Sequence, residues 1–212
     1  MPTESTEDAR LVAAAALRDL SHTYAERDPD SAQLLALAAV AHEQTEGLQS
    51  APLRDRMSLM RASLERSSFP GDDVRSGFAD RAVGGATNPT SAELAVEFQG
   101  DEVVARVVLR RAFEGAPGRA HGGIVAAVFD EVTGFVIGLL REPAFTGELT
   151  VCYVAPVPVD KSLEMRARLT GRERRKLFIT GEVHDGDTLV ATCRATYITV
   201  DPARFRGAPD PR

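Results

Sequence analysis

The stretch from Gly122 to Leu140 is the feature that most restricts what this chain can fold into. At about 100° per residue, Val128, Val132 and Val136 fall on one stripe of a helix, and further apolar residues widen that stripe on both sides. Asp130 is one of only two charged residues within it. A helix that is apolar over so much of its circumference must be covered by other elements, so the pattern predicts one central helix lying across a sheet.

Strand-like runs lie on both sides of this helix. Before it, Leu94, Val96 and Phe98 alternate with polar residues, and a Gly100-Asp101 turn leads to a second run that ends at Leu109. The short connections among the last three strands predict an antiparallel meander, and the fold class is therefore α+β. The four runs predicted after the helix are Leu149–Val157, Leu163–Leu169, Leu177–His184 and Leu189–Val200, with a hairpin turn at Asp185-Gly186-Asp187.

The first third of the chain has a helical pattern instead. Ser5 stands before two acidic residues at the start of one helix, Ser31 is placed to cap a second, and a third is predicted over Leu53 to Leu64. The predicted organisation is a helical N-terminal extension over residues 1–66, a linker or wrapping loop over 67–90, the sheet domain over 91–200 and a tail over 201–212.

Composition excludes several classes of function. The net charge is -6 with a pI near 5.3, and no sustained basic stripe is present, so we expect no nucleic-acid partner. No apolar run approaches the roughly 20 residues of a membrane span, and the N-terminus makes a poor signal peptide, which favours a cytoplasmic protein. Cys152 and Cys193 are expected to be reduced core thiols. Four scattered histidines predict no metal site, and nothing indicates a cofactor.

The chemistry concentrates where the central helix begins. His121-Gly122-Gly123 leads into the helix, and the unpaired N–H groups of its first turn, with the positive end of the dipole, favour an anionic oxygen. Asp130 lies two turns further, among small neighbours that leave space above its carboxylate. A charge on an apolar helix costs free energy unless it is paired or used. An ion pair or a solvated edge is the alternative for Asp130, and a plain loop is the alternative for the glycines.

This arrangement resembles the PaaI-type hotdog thioesterases, in which a His-Gly-Gly loop opens the central helix and the catalytic aspartate follows the histidine by nine residues, as Asp130 follows His121. Asn88-Pro89 and Glu114 to Gly118 resemble the segments that approach the site, and the latter is expected to contain a loop over Gly115 to Gly118. The strand from Thr146 resembles the one that brings a threonine there. The resemblance covers roughly Gly77 to Phe205.

The resemblance implies a hotdog fold, in which an antiparallel sheet wraps one central helix, and hydrolysis of an acyl-CoA thioester. Asp130 would act as general base on a water or attack the thioester directly. The N–H groups of Gly122 and Gly123 would hold the oxyanion, His121 would position the loop or the carbonyl, and Thr146 would orient the reacting groups. The site would lie between two subunits, which implies a homodimer or a higher even oligomer.

Substrate contacts are expected in two further places. Asn88 is a candidate through its position in the resemblance. The densest basic cluster of the chain is the other, since guanidinium groups suit the phosphates of coenzyme A, although a solvated strand start would carry the same charges. The cluster consists of Arg172, Arg174, Arg175 and Lys176.

Two other functions fit parts of the pattern. A hotdog protein could bind or sense acyl-CoA without hydrolysing it, with the N-terminal helices as its partner surface. A hotdog hydratase or dehydratase is the other alternative, but the Asp-x-Asn-Pro-x-His run that it would need does not surround Asn88-Pro89. Thioester hydrolysis is the function that the pattern favours.

Overall fold

A six-stranded antiparallel sheet and one long helix form the body of the protein. The computed structural model describes residues 5–55, 58 and 79–201. Two helices, α1 (Thr6–Glu26) and α2 (Ser31–Gln49), come first, α3 (Gly122–Leu140) is the central helix, and a 3-10 turn spans Arg111–Phe113. The strands are β1 (Ala95–Gln99), β2 (Glu102–Val108), β3 (Glu114–Ala116), β4 (Arg119–Ala120), β5 (Ala144–Tyr153), β6 (Ser162–Glu173), β7 (Lys176–Asp185) and β8 (Thr188–Thr199).

The large sheet has the order β1-β2-β6-β7-β8-β5, and every neighbouring pair is antiparallel. Helix α3 packs across one face of it, and Val128, Phe129 and Val132 are each about 1% exposed. Alternate residues of β6, β7 and β8 point at the helix and close the core. The predicted α+β arrangement, and the bounds of the central helix, are confirmed.

Turn residues set the register of the meander. Gly186 joins β7 to β8 with φ +58°, a conformation that costs a glycine little, as the sequence predicted for this hairpin.

Three local predictions were wrong. The strand predicted over Leu149–Val157 is β5, and it begins earlier, at Ala144, and ends at Tyr153. Its first half is an edge strand whose residues are mostly exposed, so no buried alternation marked it in the sequence. The expected loop over Gly115 to Gly118 lies largely within a small hairpin of β3 and β4. The cap of α2 is Asp30, paired reciprocally with Gln33, and not Ser31.

Other expectations fall partly or wholly outside the described residues. The third helix, predicted over Leu53 to Leu64, is one, and the tail beyond residue 201 is another. Within the predicted linker, residues 79–90 form a series of turns held by backbone hydrogen bonds such as Thr87 N–H to the Ala79 carbonyl at 2.8 Å.

By length and composition alone α3, with 19 residues, could cross a membrane, so the expectation that no apolar run approaches that length was wrong. A buried core helix has the same composition, and 44% of this segment is buried inside the protein. The two cysteines are free thiols, but only Cys193 is a core residue, where burial raises its pKa to about 12. Cys152 is exposed, contrary to the prediction.

Helix α1 is joined to the sheet domain by a buried arginine. Arg18 is only 3% exposed and donates to the carbonyls of Ala86 and Asn88 at 2.9 and 2.8 Å. Its guanidinium also pairs with Glu93 at 2.6 Å. A buried cation needs partners of this kind, and here they come from the loop that precedes β1.

His22, one turn along α1, makes a second contact. Its Nδ1 accepts the N–H of Ala112 at 3.1 Å, and its ring meets Phe113 edge-on at 5.1 Å. Burial lowers the pKa of His22, and Arg110 lowers it further, while Asp19 and Asp160 act in the opposite direction. His22 is therefore held as the neutral acceptor that this contact requires.

We predict that His22 makes stability fall in acid. Because its pKa is lowered in the folded state, the unfolded chain takes up a proton below about pH 6.5 that the native protein resists. The contribution is fully present above that pH and is lost as the pH falls towards the folded pKa, by at most about 1.4 kcal/mol per pH unit.

The measurement is the free energy of unfolding in urea at about pH 7.5 and about pH 5.5, for the protein and for His22→Asn. Asn keeps an acceptor but does not titrate, so the variant should lose less stability between the two values. Equal losses would contradict the prediction.

Candidate active site

The loop that opens α3 is held by backbone contacts from two sides. His121 N–H donates to the carbonyl of Phe113 at 2.8 Å, and Ala120 N–H donates to that of Val157 at 2.9 Å. Gly115 packs against this loop so closely that a Cβ there would lie 2.7 Å from the Cα of His121. The 3-10 turn and the β3–β4 hairpin therefore fix where the helix begins.

His121 is the N-cap of α3. Its Nδ1 accepts the N–H of Gly123 at 3.0 Å, which places the proton of the neutral ring on Nε2. The two glycines thus differ: Gly123 N–H is engaged by His121, whereas no hydrogen bond from Gly122 N–H is found within the described part of the chain. Of the two N–H groups that were predicted to hold the oxyanion, only that of Gly122 is available in this conformation.

Tyr153, at the end of β5, contacts Gly122 through the carbonyl group of that residue. Its hydroxyl donates to the carbonyl of Gly122 at 2.5 Å. A Cβ on Gly122 would lie 3.1 Å from that hydroxyl. The sequence analysis did not single out Tyr153, because an aromatic residue at the end of a strand gives no signal of this contact.

Asp130 and Thr146, predicted to act together, are in contact. The Thr146 hydroxyl donates to Oδ1 of Asp130 at 2.8 Å, and both residues are exposed. Among the described residues nothing donates to the second oxygen of this exposed carboxylate, Oδ2. A carboxylate with one oxygen held and the other available can accept a proton from water or attack a carbonyl carbon.

The buried residue Tyr197 lies next to both Asp130 and Thr146. Tyr197 in β8 lies opposite Thr146 in β5, and its hydroxyl donates to the Asp130 carbonyl at 3.1 Å. It also lies 2.9 Å from the hydroxyl of Thr133. Burial raises the pKa of Tyr197, so it remains a neutral donor. The sequence predicted a strand over Leu189–Val200 but gave no reason to connect Tyr197 with Asp130.

Glu131, the competing carboxylate, has a different environment. It pairs with Arg81 at 3.1 Å, its side chain is 13% exposed, and the Arg81 guanidinium lies 4.6 Å from the centre of the Phe135 ring. Burial raises the pKa of Glu131 and Arg81 opposes that effect. Glu131 therefore anchors the preceding loop to α3, on another side of the helix from Asp130.

Asn88 has a structural role in the loop. Its Oδ1 accepts from the N–H and hydroxyl of Thr90 at 3.0 and 2.8 Å, and its Nδ2 donates to the Asp80 carbonyl at 3.4 Å. The side chain is thus occupied within its own turn. Its predicted contact with substrate is not part of this arrangement and stays a prediction.

The basic cluster lies at the β6–β7 hairpin and is exposed, but its members are not equivalent. Arg172 makes a two-pronged pair with Glu142 at 2.9 and 2.6 Å, and Arg175 donates twice to the Thr199 carbonyl. Arg174, with φ +51° at the tip, and Lys176 have no ion pair with another described residue.

The hairpin lies at the same end of the sheet as Thr146. Thr146 is opposite Tyr197, Tyr197 is opposite Leu177, and Leu177 is opposite Arg172. Three strand spacings separate the first and last of these, or about 14 Å. No group of three or more His, Cys, Asp or Glu that could hold a metal occurs within the described ranges.

Comparisons with known proteins point to thioesterases. Residues 117–195 match the family described as the thioesterase superfamily. The chain is 31% identical over 93 residues to the mouse acyl-coenzyme A thioesterase THEM4, covering 43% of this chain and 40% of that protein. It is 36% identical over 74 residues to human acyl-coenzyme A thioesterase THEM5, covering 35% and 30%. The chain thus spans well under half the length of these relatives.

A solved structure described as a thioesterase superfamily protein extends the similarity to the whole fold. The two superpose with a TM-score of 0.76 at 21% sequence identity, and the superposition covers 93% of this chain and 92% of that protein's chain. That coverage includes the region of the N-terminal helices. The match over residues 117–195 makes this part of the chain similar to the thioesterase superfamily, and the superposition shows that the chain has the hotdog fold.

Proposed function

We propose that the protein hydrolyses acyl-CoA thioesters, with Asp130 as the catalytic carboxylate. The observation that carries the proposal is the 2.8 Å contact between Thr146 and Asp130, at an exposed point of a largely apolar helix. The similarity to acyl-coenzyme A thioesterases from mouse and human supports the substrate class. The spacing from His121 to Asp130 supports a PaaI-type arrangement, and the composition supports a cytoplasmic location.

The proposed reaction needs only water and groups of the protein. In one route, Asp130 takes a proton from a water molecule while the oxygen of that water forms a bond to the thioester carbon. In the other, an oxygen of Asp130 forms that bond itself, and water then cleaves the resulting anhydride. The carbon–sulfur bond breaks, the thiolate of coenzyme A leaves and takes up the proton, and the free acid remains. Gly122 N–H would stabilise the negative charge on the carbonyl oxygen.

Helix geometry favours a site made by two subunits. Gly122 and Asp130 are eight residues apart, which is about 12 Å along the axis. A reacting carbonyl must lie about 3 Å from both the oxyanion donor and the attacking group, and that requires a separation of no more than about 6 Å. We therefore propose that Asp130 of one subunit works with the Gly122 loop of another.

The exposed strand β5 suits such an interface. It is an edge of the large sheet, it carries Thr146, and Phe145 and Tyr153 on it are 57% and 49% exposed. An unpaired edge of this kind is commonly covered by another strand. A second copy pairing there would form a homodimer and bring two sites together. A monomer mass in solution with activity retained would contradict this.

Asp130→Asn should lower kcat by roughly 10²–10⁴-fold, the range typical of a placed general base, and leave KM nearly unchanged. Asn has almost the same shape but carries no negative charge, so the fold should persist. Thr146→Ala should fall between the variant and the wild type, because it orients the carboxylate without supplying charge. The measurement is thiol release from a panel of acyl-CoAs.

Glu131→Gln is the matched control, one residue along the same helix. It should lower stability, since the ion pair between Glu131 and Arg81 is lost, while kcat stays near the wild-type value. Activity lost in Glu131→Gln and kept in Asp130→Asn would reverse the assignment. Tight binding of acyl-CoA with no thiol released by the wild type would favour the non-catalytic alternative.

We also propose that Arg174 contacts a phosphate of coenzyme A, because it is the arginine of the hairpin whose guanidinium has neither an ion pair nor a hydrogen bond with another described residue, whereas Arg172 pairs with Glu142 and Arg175 donates to the Thr199 carbonyl. Arg174→Ala should raise KM about threefold with kcat unchanged, and the difference should shrink as salt is added. Arg172→Ala is the control, since its charge is already paired with Glu142. An equal KM for Arg174→Ala and the wild type at low salt would sink this proposal.

A further inference from the structure

We infer that helix α1, through His22, positions the oxyanion loop, His121-Gly122-Gly123. The N-terminal helix would then help to hold the active site in place. This inference rests on the proposed thioesterase function. His22 lies outside the segment that matches the thioesterase family, residues 117–195, and reaches no reacting atom itself. It is a positioning residue.

The first step of the connection is the contact between His22 and the 3-10 turn. His22 is 5% exposed, its Nδ1 accepts Ala112 N–H at 3.1 Å, and its ring packs edge-on against Phe113. The turn has no side-chain cap of its own. Within the described residues, His22 is therefore the side chain that fixes this turn by a hydrogen bond to its backbone.

The second step leads from the turn to the loop. The carbonyl of Phe113 accepts the N–H of His121 at 2.8 Å. His121 in turn accepts the N–H of Gly123, which sets the direction of the first peptide groups of α3. Three hydrogen bonds and one ring contact thus join α1 to the loop that presents Gly122 N–H.

Helix α1 also holds a second loop that contacts α3, further along that helix. Arg18 holds the carbonyls of Ala86 and Asn88, and the loop that contains them is also tied to α3 through Arg81 and Glu131. Arg18 and His22, one turn apart on α1, therefore hold two separate loops that each contact α3. An accessory helix attached only by apolar packing would not need a buried arginine and a buried histidine at these places.

A shift of the oxyanion donor, Gly122 N–H, should lower kcat. A donor aimed at a developing charge acts mainly in the transition state, and a misplacement of about 1 Å can cost up to 10²-fold in rate. Replacing His22 should therefore lower kcat while KM stays nearly constant. A helix with only a structural role would change stability and leave kcat of the folded protein intact.

The test compares three variants of the full chain in the thiol-release assay. His22→Leu fills the space without an acceptor and should lower kcat about tenfold with little change in KM. His22→Asn restores an acceptor for Ala112 N–H and should recover most of that loss. Asp19→Asn is the control, because it removes the exposed Arg110–Asp19 ion pair of the same helix, at 2.6 Å, and leaves the donor and acceptor of all three hydrogen bonds in place.

Equal kcat values for His22→Leu and Asp19→Asn would overturn the inference, and so would a failure of His22→Asn to recover activity. Neither result would affect the proposed function, which fails only if the wild type releases no thiol or if Asp130→Asn stays active.

Native-state hydrogen exchange of the wild type gives a second test that needs no variant. The amides of Ala112 and His121 should open together with those of α1 near His22 as denaturant is raised. Independent opening of the His121 amide would contradict the inference even if His22→Leu did not fold.

Discussion

Burial of α3 is the constraint on which the rest of the structure depends. Its apolar surface cannot be left in water, so the large sheet curves over it and fills the space with alternate residues of its strands. Val128, Phe129 and Val132 are almost fully buried as a result. An ionised side chain on such a helix must be paired or must face an opening, and the two acidic residues of α3 illustrate both outcomes.

Glu131 and Asp130 are neighbours in the chain with opposite environments. Glu131 is half-buried and neutralised by Arg81, which ties a loop to the helix. Asp130 is exposed and receives a neutral hydroxyl donor, Thr146, in place of a cation. A carboxylate held by a hydroxyl keeps its charge available for chemistry, whereas one locked to a guanidinium serves structure. This contrast supports the proposal that Asp130, and not Glu131, is the reactive group.

Much of this could be predicted because helical and strand periodicities differ. The bounds of α3, the antiparallel meander and the pairing of Thr146 with Asp130 followed from apolar spacing and from the resemblance. What the sequence could not show were contacts between distant elements. Tyr197, Tyr153 and His22 act through hydrogen bonds to backbone groups elsewhere in the fold, and no local pattern marks such partners.

Edge positions were the other source of error. The first half of β5 has no buried alternation, because one edge and much of its surface are open in a single chain. The same openness is what makes β5 suitable for a second copy. Thus the region that sequence patterns described least well is the one where the proposed site needs another subunit to be complete.

Mixing two inactive variants tests this composite site most directly. Asp130→Asn lacks the carboxylate, and Gly122→Pro lacks the oxyanion N–H at a first helical position that tolerates proline. Subunits of the two variants, unfolded and refolded together, should form hybrid dimers that each have one intact site, and random pairing should restore about a quarter of wild-type activity. If the mixture stays as inactive as its components although hybrid dimers form, Asp130 and Gly122 do not act across two subunits.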